Sequence, residues 1–330
     1  MPLILKKGFY RKQIVGQTKE YHLGPFKWSR NLFEKTFDLN QTIFNRYDCF
    51  CLLNSNLGEA FIFLKFFLSE IERKNLAMGK RTLVITTKYA HVELAKTLGI
   101  HNIICLTGFS ADSYETSFTY RGKEFLVIFN HEHYVATEIA IRLFNAHFFS
   151  EMQETLKVKP ITFRTRRVSI SKAITRWTRI KAEKIGLRLD NFVMIIPHAN
   201  SCQDLEKHLL HAQVRRLVTQ GYHVFINTWE TYPIKHPLIH TSYRFSLPEL
   251  YVLAKHAREI VAIRCGLIEF LAEAQTPMTV VSSDFKNRPF WAQVNEEQVL
   301  SGFSLYDIAP EYKVIREITL SEYKNEILNY

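Results

Sequence analysis

Phosphate chemistry is suggested most directly by the stretch Ile260-Val-Ala-Ile-Arg-Cys-Gly-Leu-Ile-Glu-Phe-Leu-Ala-Glu-Ala-Gln-Thr-Pro-Met-Thr-Val-Val-Ser282. Ile260 to Ile263 is a short apolar, β-branched run of the kind that forms a buried parallel strand. Gly266 stands where the chain must turn, a place that favours a residue without a Cβ. Leu267, Phe270, Leu271 and Ala274 recur at helical spacing, and Pro277 ends that helix before a second strand at Met278–Val281. A glycine turn that opens a helix leaves backbone N–H groups free, and the helix dipole adds positive potential. Gly266 and Leu267 would then offer N–H groups to a phosphate, with Arg264 adding charge. The alternatives are an ordinary βα turn and an Arg264 held in a buried salt bridge.

His131-Glu-His133 invites a metal, since the two histidines of an H-x-H on an extended segment can share one. No third or fourth ligand stands nearby and no Asp-x-Asp motif occurs, so the sequence predicts no metal site. Five cysteines (Cys49, Cys51, Cys105, Cys202, Cys265) show no ligand spacing and suggest reduced thiols in a cytoplasmic protein.

The elements that must position these groups have a clear rhythm. Residues 1–47 mix basic and aromatic types, with Gly16 and Gly24-Pro25 as breakers, and read as an arm or small hairpin followed by a short helix. From there the spacing predicts strand Cys49–Leu53, a polar loop through Glu59, and helix Ala60–Arg73. Strand Thr82–Thr86, helix Tyr89–Leu98, strand Asn102–Leu106 and strand Phe125–Phe129 follow, then a long helix over about 135–157. This is a βαβ order, which implies a parallel sheet with right-handed crossovers. After a basic linker with helical character at Ile174–Ile185, a second set begins. It comprises strand Phe192–Ile196, the loop Pro197–Cys202, a helix through Leu205–Leu217, strand His223–Asn227, a short strand near Ile239 and helix Leu247–Ala254. That helix delivers the glycine turn. Residues 283–315 read as loop-rich, and the end of the chain as a helix. The expected fold class is α/β, two Rossmann-like domains facing a central cleft. The expected division is 1–160, a linker at 161–189, 190–315, and a C-terminal helix at 316–330.

Net charge is +11, unevenly spread. Nine Lys or Arg lie between Arg164 and Arg188 against one acid, Glu183. Such a patch suits an anionic membrane, a phosphorylated substrate or nucleic acid, or is simply a solvated face. No zinc finger, RNP motif or helix-turn-helix accompanies it, so nucleic acid is not expected. No apolar run approaches the ~20 residues of a membrane span.

Three segments carry a resemblance to the GT-B glycosyltransferases, closest in kind to the heptosyltransferase type that builds lipopolysaccharide core. Asn56-Leu-Gly-Glu-Ala60 is similar to that family's Gly-Asp loop facing the acceptor. Ile196-Pro-His-Ala-Asn-Ser201 opens the C-terminal domain. Ser246-Leu-Pro-Glu-Leu250, followed by Arg264-Cys-Gly-Leu-Ile-Glu269, corresponds to the family's Asp-(Ser/Thr)-Gly-Leu-x-His. Gly266 and Leu267 match outright, while Arg264, Cys265 and Glu269 replace an acid, a hydroxyl and a histidine.

The resemblance implies a metal-free, inverting transfer of sugar from a nucleotide-sugar to a saccharide or lipid-linked acceptor in cell-surface polysaccharide synthesis. It would proceed without a cofactor, in the cytoplasm or at the inner membrane face. Such a transfer needs a base and positive potential for the departing diphosphate. Glu59 is the first candidate base and Glu132 the second; Glu59 also suits a plain helix start. Asn200 and Ser201 would bond phosphate or cap the following helix. Glu249 would hold a ribose hydroxyl or sit in a first helical turn. Trp229 and Tyr232 would stack on a base or sugar, or anchor their loop. A pyruvyl-transferase-like enzyme and a non-catalytic partner that keeps the frame are the rival functions.

Overall fold

A computed structural model of the chain describes residues 9–14, 17–22, 35–53, 55–106, 117–128, 166–230, 232–241, 244–286, 294–307 and 315–328. The segment of the expected 135–157 helix, with His131, Glu132 and His133, lies outside the described residues.

Strands β1 (Phe9–Ile14) and β2 (Gln17–His22) form an antiparallel hairpin. β3 (Cys49–Leu53), β4 (Thr82–Thr86), β5 (Ile103–Cys105), β6 (Ser117–Tyr120) and β7 (Lys123–Ile128) form a sheet in the order β5-β4-β3-β7-β6. All its pairs are parallel except β6 with β7. β3 and β4 are buried along their whole length, as strands covered on both faces must be. On one face the short helix Gln41–Phe44 brings Phe44 against Phe50, which stacks on Phe125 at 4.9 Å. Cutting such a buried ring to alanine typically costs about 3–5 kcal/mol.

The helix after β3 departs from its expected form. It starts at Leu57, passes through a π-helical stretch at Phe63–Phe67, and resumes as an α-helix over Leu68–Ala77. Every residue from Gly58 to Leu68 is buried, Glu59 and Lys65 included, so its polar positions do not mark a solvent side from which to read the phase.

The second sheet contains β8 (Phe192–Ile196), β9 (His223–Ile226), β10 (Ile239–Thr241), β11 (Glu259–Ile263), β12 (Met278–Ser282) and β13 (Ile315–Thr319). Its order is β10-β9-β8-β11-β12-β13, and every pair is parallel. Helices Lys207–Thr219, Leu247–His256, Ile268–Ala272 and Leu320–Leu328 belong to this unit, as does the Lys172–Lys184 helix. Chain contacts separate two units, the second of which contains Ser169–Tyr330. Both are α/β with parallel-dominated sheets, as expected.

One expectation fails at the C-terminal end. The 316–330 segment is not all helix: Ile315–Thr319 is the edge strand β13, and the helix begins at Leu320. Within the 283–315 region, read as loop-rich, the described residues include one short helix, Glu296–Gly302, fixed by a capping box between Asn295 and Gln298. Both elements carry charges on a solvent side, which hides their apolar pattern. No helix among the described residues is long and apolar enough to cross a membrane.

Candidate functional site

In an open parallel sheet, ligands bind beyond the carboxyl ends of the strands where the winding reverses direction. In the second sheet the chain winds from β8 outward to β10, then returns to β11 on the other side of β8 and winds to β13. The reversal lies between β8 and β11, so the loops after Ile196 and Ile263 are neighbours. These loops carry Asn200 and Ser201, and Arg264, Gly266 and Leu267. In the first sheet the reversal lies between β3 and β7. β3 leads into the loop that carries Glu59. β7 ends at Ile128, and Glu132 follows in the segment outside the described residues.

The loop after β8 is internally braced. Asp204 accepts a hydrogen bond from Ala199 N–H at 3.0 Å and from Lys286 Nζ at 2.6 Å, and Lys286 also donates to the Ala199 carbonyl. Burial raises the Asp204 carboxyl, but the Lys286 ammonium and the Ala199 N–H outweigh it and hold the group below its ordinary range. His198 bonds Thr228 Oγ1 through Nε2 at 2.8 Å and stacks on Trp229, ring centroids 4.6 Å apart. Trp229 nonetheless remains 64% exposed. Asn200 is exposed and Ser201 half-buried. The helix that Asn200 and Ser201 were expected to cap starts at Lys207 with Glu206 before it, so the capping alternative falls.

The turn after β11 shows Arg264 buried in a salt bridge. Its Nη2 donates to Glu269 Oε1 at 2.7 Å, Nε to the Phe303 carbonyl at 2.8 Å and Nη1 to the Cys265 carbonyl at 3.1 Å. Burial alone would lower the guanidinium pKa; the Glu269 carboxylate more than offsets this, and the group stays charged. Glu269 is itself buried, and its Oε2 has no hydrogen-bond partner. Gly266 does not adopt the left-handed backbone that only glycine takes easily. Cys265, Gly266 and Leu267 are half-buried, whereas Arg264 and Ile268 on either side are buried.

Burial pushes the Cys265 thiol up to about 11, against the Leu267 and Ile268 N–H groups that interact with it. Cys202 is pushed up to about 12 by burial. Both thiols stay protonated at neutral pH and are poor nucleophiles. Glu249 closes a capping box, accepting from Ser246 N–H at 2.7 Å and Ser246 Oγ at 3.0 Å. It also pairs with Lys181 Nζ at 2.7 Å. The first-turn alternative is thus the geometry found, with the carboxylate already held on both oxygens.

In the first unit Glu59 is in the first turn of the Leu57–Ile62 helix and 8% exposed. Around it is a polar group that the sequence reading passed over. Lys88 Nζ donates to the Ser55 carbonyl at 2.7 Å, and Thr86 Oγ1 bonds His91 Nδ1 at 2.8 Å. Burial lowers the Lys88 ammonium while the Glu59 carboxylate draws it back up. Burial, then the Lys88 charge, pull His91 down to about 4, so the imidazole is neutral at pH 7. Ser55 Oγ is buried with no hydrogen-bond partner. Thr86 ends β4, the immediate neighbour of β3, and Lys88 follows it, so only the strand order brings them to this loop. No group of three or more potential metal ligands occurs among the described residues.

No protein-family model and no curated protein sequence matches the chain. Among solved structures, the ADP-heptose lipopolysaccharide heptosyltransferase II of E. coli is similar at 10% identity, covering 86% of this chain and 98% of that one, with a TM-score of 0.47. A family 9 glycosyl transferase from Veillonella parvula is 10% identical, covering 83% of this chain and 87% of its own, with a TM-score of 0.44. The iron-containing dodecameric glycosyltransferase TibC of enterotoxigenic E. coli is 13% identical, covering 86% and 75%, with a TM-score of 0.45. At such values no residue role transfers from them to this chain.

Proposed function

We propose that the protein is a GT-B glycosyltransferase that moves a sugar from a nucleotide-sugar to a saccharide or glycolipid acceptor, without a metal and with inversion at the anomeric carbon. One observation carries this reading: the segments that resemble donor and acceptor motifs leave their sheets at the two winding reversals, where such sheets bind ligands. In this scheme Glu59 takes the proton of an acceptor hydroxyl as its oxygen bonds to the anomeric carbon. The bond from that carbon to the donor phosphate breaks on the opposite face, and the nucleoside diphosphate leaves with the electron pair. The Gly266 N–H, the Leu267 N–H and the Ser201 hydroxyl receive its phosphate oxygens. Arg264 contributes less to this potential than an unpaired cation would, because Glu269 neutralises it. The acceptor class is a cell-surface saccharide or lipid-linked sugar, met at the cytoplasmic side of the membrane.

The specific test is a screen of the full chain against nucleotide-sugars with release of free nucleotide as readout. Glu59→Gln should abolish release and leave nucleotide binding intact. Undiminished release in that variant would remove Glu59 from the mechanism.

A second reading, a non-catalytic partner built on the same frame, draws on the same turn. Arg264 and Glu249 are both occupied by internal partners, as a frame that had lost its substrate would have them. A chain that binds a nucleotide yet releases none from any nucleotide-sugar would favour it.

A further inference from the structure

The nine cations between Arg164 and Arg188 are not one patch. Arg166 pairs with Glu72, Lys181 with Glu249, and Arg188 with Asp190. Arg164 lies outside the described residues. Arg167, Lys172, Arg176, Arg179 and Lys184 remain, all exposed and none in an ion pair with a described residue.

Four of these five lie on one helix, Lys172–Lys184. Its inner face buries Thr178 and Ala182 and sends Lys181 to Glu249 at the start of the Leu247–His256 helix. On the outer face Lys172, Arg176 and Arg179 follow at i, i+4 and i+7, so they form one stripe. At the other edge of the outer side, about 100° around the helix from Arg176, stands Trp177, 54% exposed, with Lys184 Nζ two turns on and 5.9 Å from its ring centroid. Glu183 is the single acid on the face.

An exposed indole set among cations on the outer side of a helix suits a bilayer surface. Cations there meet lipid phosphates while an indole sits at headgroup depth. Single-stranded nucleic acid would instead call for several aromatics along a groove, and this convex face offers one. We propose that the outer face of the Lys172–Lys184 helix docks the protein on a membrane rich in anionic phospholipid, with Trp177 inserted between headgroups and Lys172, Arg176, Arg179 and Lys184 over the phosphates. This goes beyond the transferase reading and does not rest on it.

The test is co-sedimentation of the full chain with vesicles of phosphatidylglycerol and phosphatidylcholine, or of phosphatidylcholine alone, at low and high salt. Binding should require the anionic lipid and weaken with salt. Each cation contributes roughly fivefold to partitioning. Arg176→Glu with Lys184→Glu should therefore lower binding by more than about tenfold. Trp177→Ser should weaken binding and remove the blue shift of tryptophan emission on vesicle addition. The milder pair Lys172→Gln with Arg179→Gln guards against a folding defect, and should lower binding with an unchanged melting temperature. Absence of binding to anionic vesicles would overturn the proposal, as would full binding by the charge-reversed variant. So would an oligonucleotide that binds the same face more tightly and releases the vesicles.

Discussion

Replacing Glu269 by glutamine tests whether Arg264 serves the fold or a ligand. The change keeps the side-chain shape and removes the charge that faces Arg264 at 2.7 Å in a place where both residues are buried. Removing one partner of a buried pair typically costs about 3–5 kcal/mol, because the other charge is left uncompensated. For a domain of this size that is a fall in melting temperature of roughly 6–20 °C. The low end is favoured, since Glu269 Oε2 already lacks a partner and the guanidinium keeps the Phe303 and Cys265 carbonyls. Arg264→Met combined with Glu269→Met removes both charges and should cost far less than Glu269→Gln alone. Urea unfolding followed by circular dichroism measures both. A loss below about 1 kcal/mol for Glu269→Gln would refute the claim that the pair is a buried structural unit. If the diphosphate can also reach Arg264, nucleotide should stabilise Glu269→Gln more than wild type.

Other consequences follow from single contacts. The depressed His91 pKa, about 4 against 6.5, contributes stability that is present above pH 6.5 and is lost as pH falls toward 4. The full loss is about 3 kcal/mol, and His91→Leu should flatten the pH dependence of unfolding in that window. Because the Lys88 charge helps lower His91, Lys88→Met should move the His91 titration upward, as NMR would show; an unmoved titration would contradict the placement of that ammonium. Glu249→Ala removes the capping box of the Leu247–His256 helix and should cost about 1–2 kcal/mol in urea unfolding without changing nucleotide affinity. Loss of nucleotide binding in that variant would restore the ribose role.

The interior strands were legible because parallel strands covered on both faces are continuous apolar runs: Cys49–Leu53, Thr82–Thr86 and Phe192–Ile196 have the bounds read from sequence. β13 was not, because Ile315-Arg-Glu-Ile-Thr319 is an edge strand whose charges read as the start of the last helix. At the candidate site the turn at Gly266 could be located, but not its chemistry. Whether Arg264 points outward or to Glu269 depends on a residue one helical turn later, and sequence leaves both options standing. The Ser55, Thr86, Lys88 and His91 group was invisible for another reason: it forms only when β4 lies beside β3, and strand order is a tertiary property.

The most direct test of the central claim is a thermal-shift panel of UDP, ADP, GDP, CDP and CMP, with and without magnesium, on wild type and Gly266→Trp. A nucleotide at a hundred times its Kd adds about 2.7 kcal/mol of stability, which such a panel resolves. The account predicts that one nucleoside diphosphate raises the melting temperature equally with and without magnesium, and that Gly266→Trp, folded as wild type, loses the shift. A shift that Gly266→Trp retains would contradict the placement of the phosphates at this turn, and no shift from any nucleotide would contradict the nucleotide-sugar donor itself.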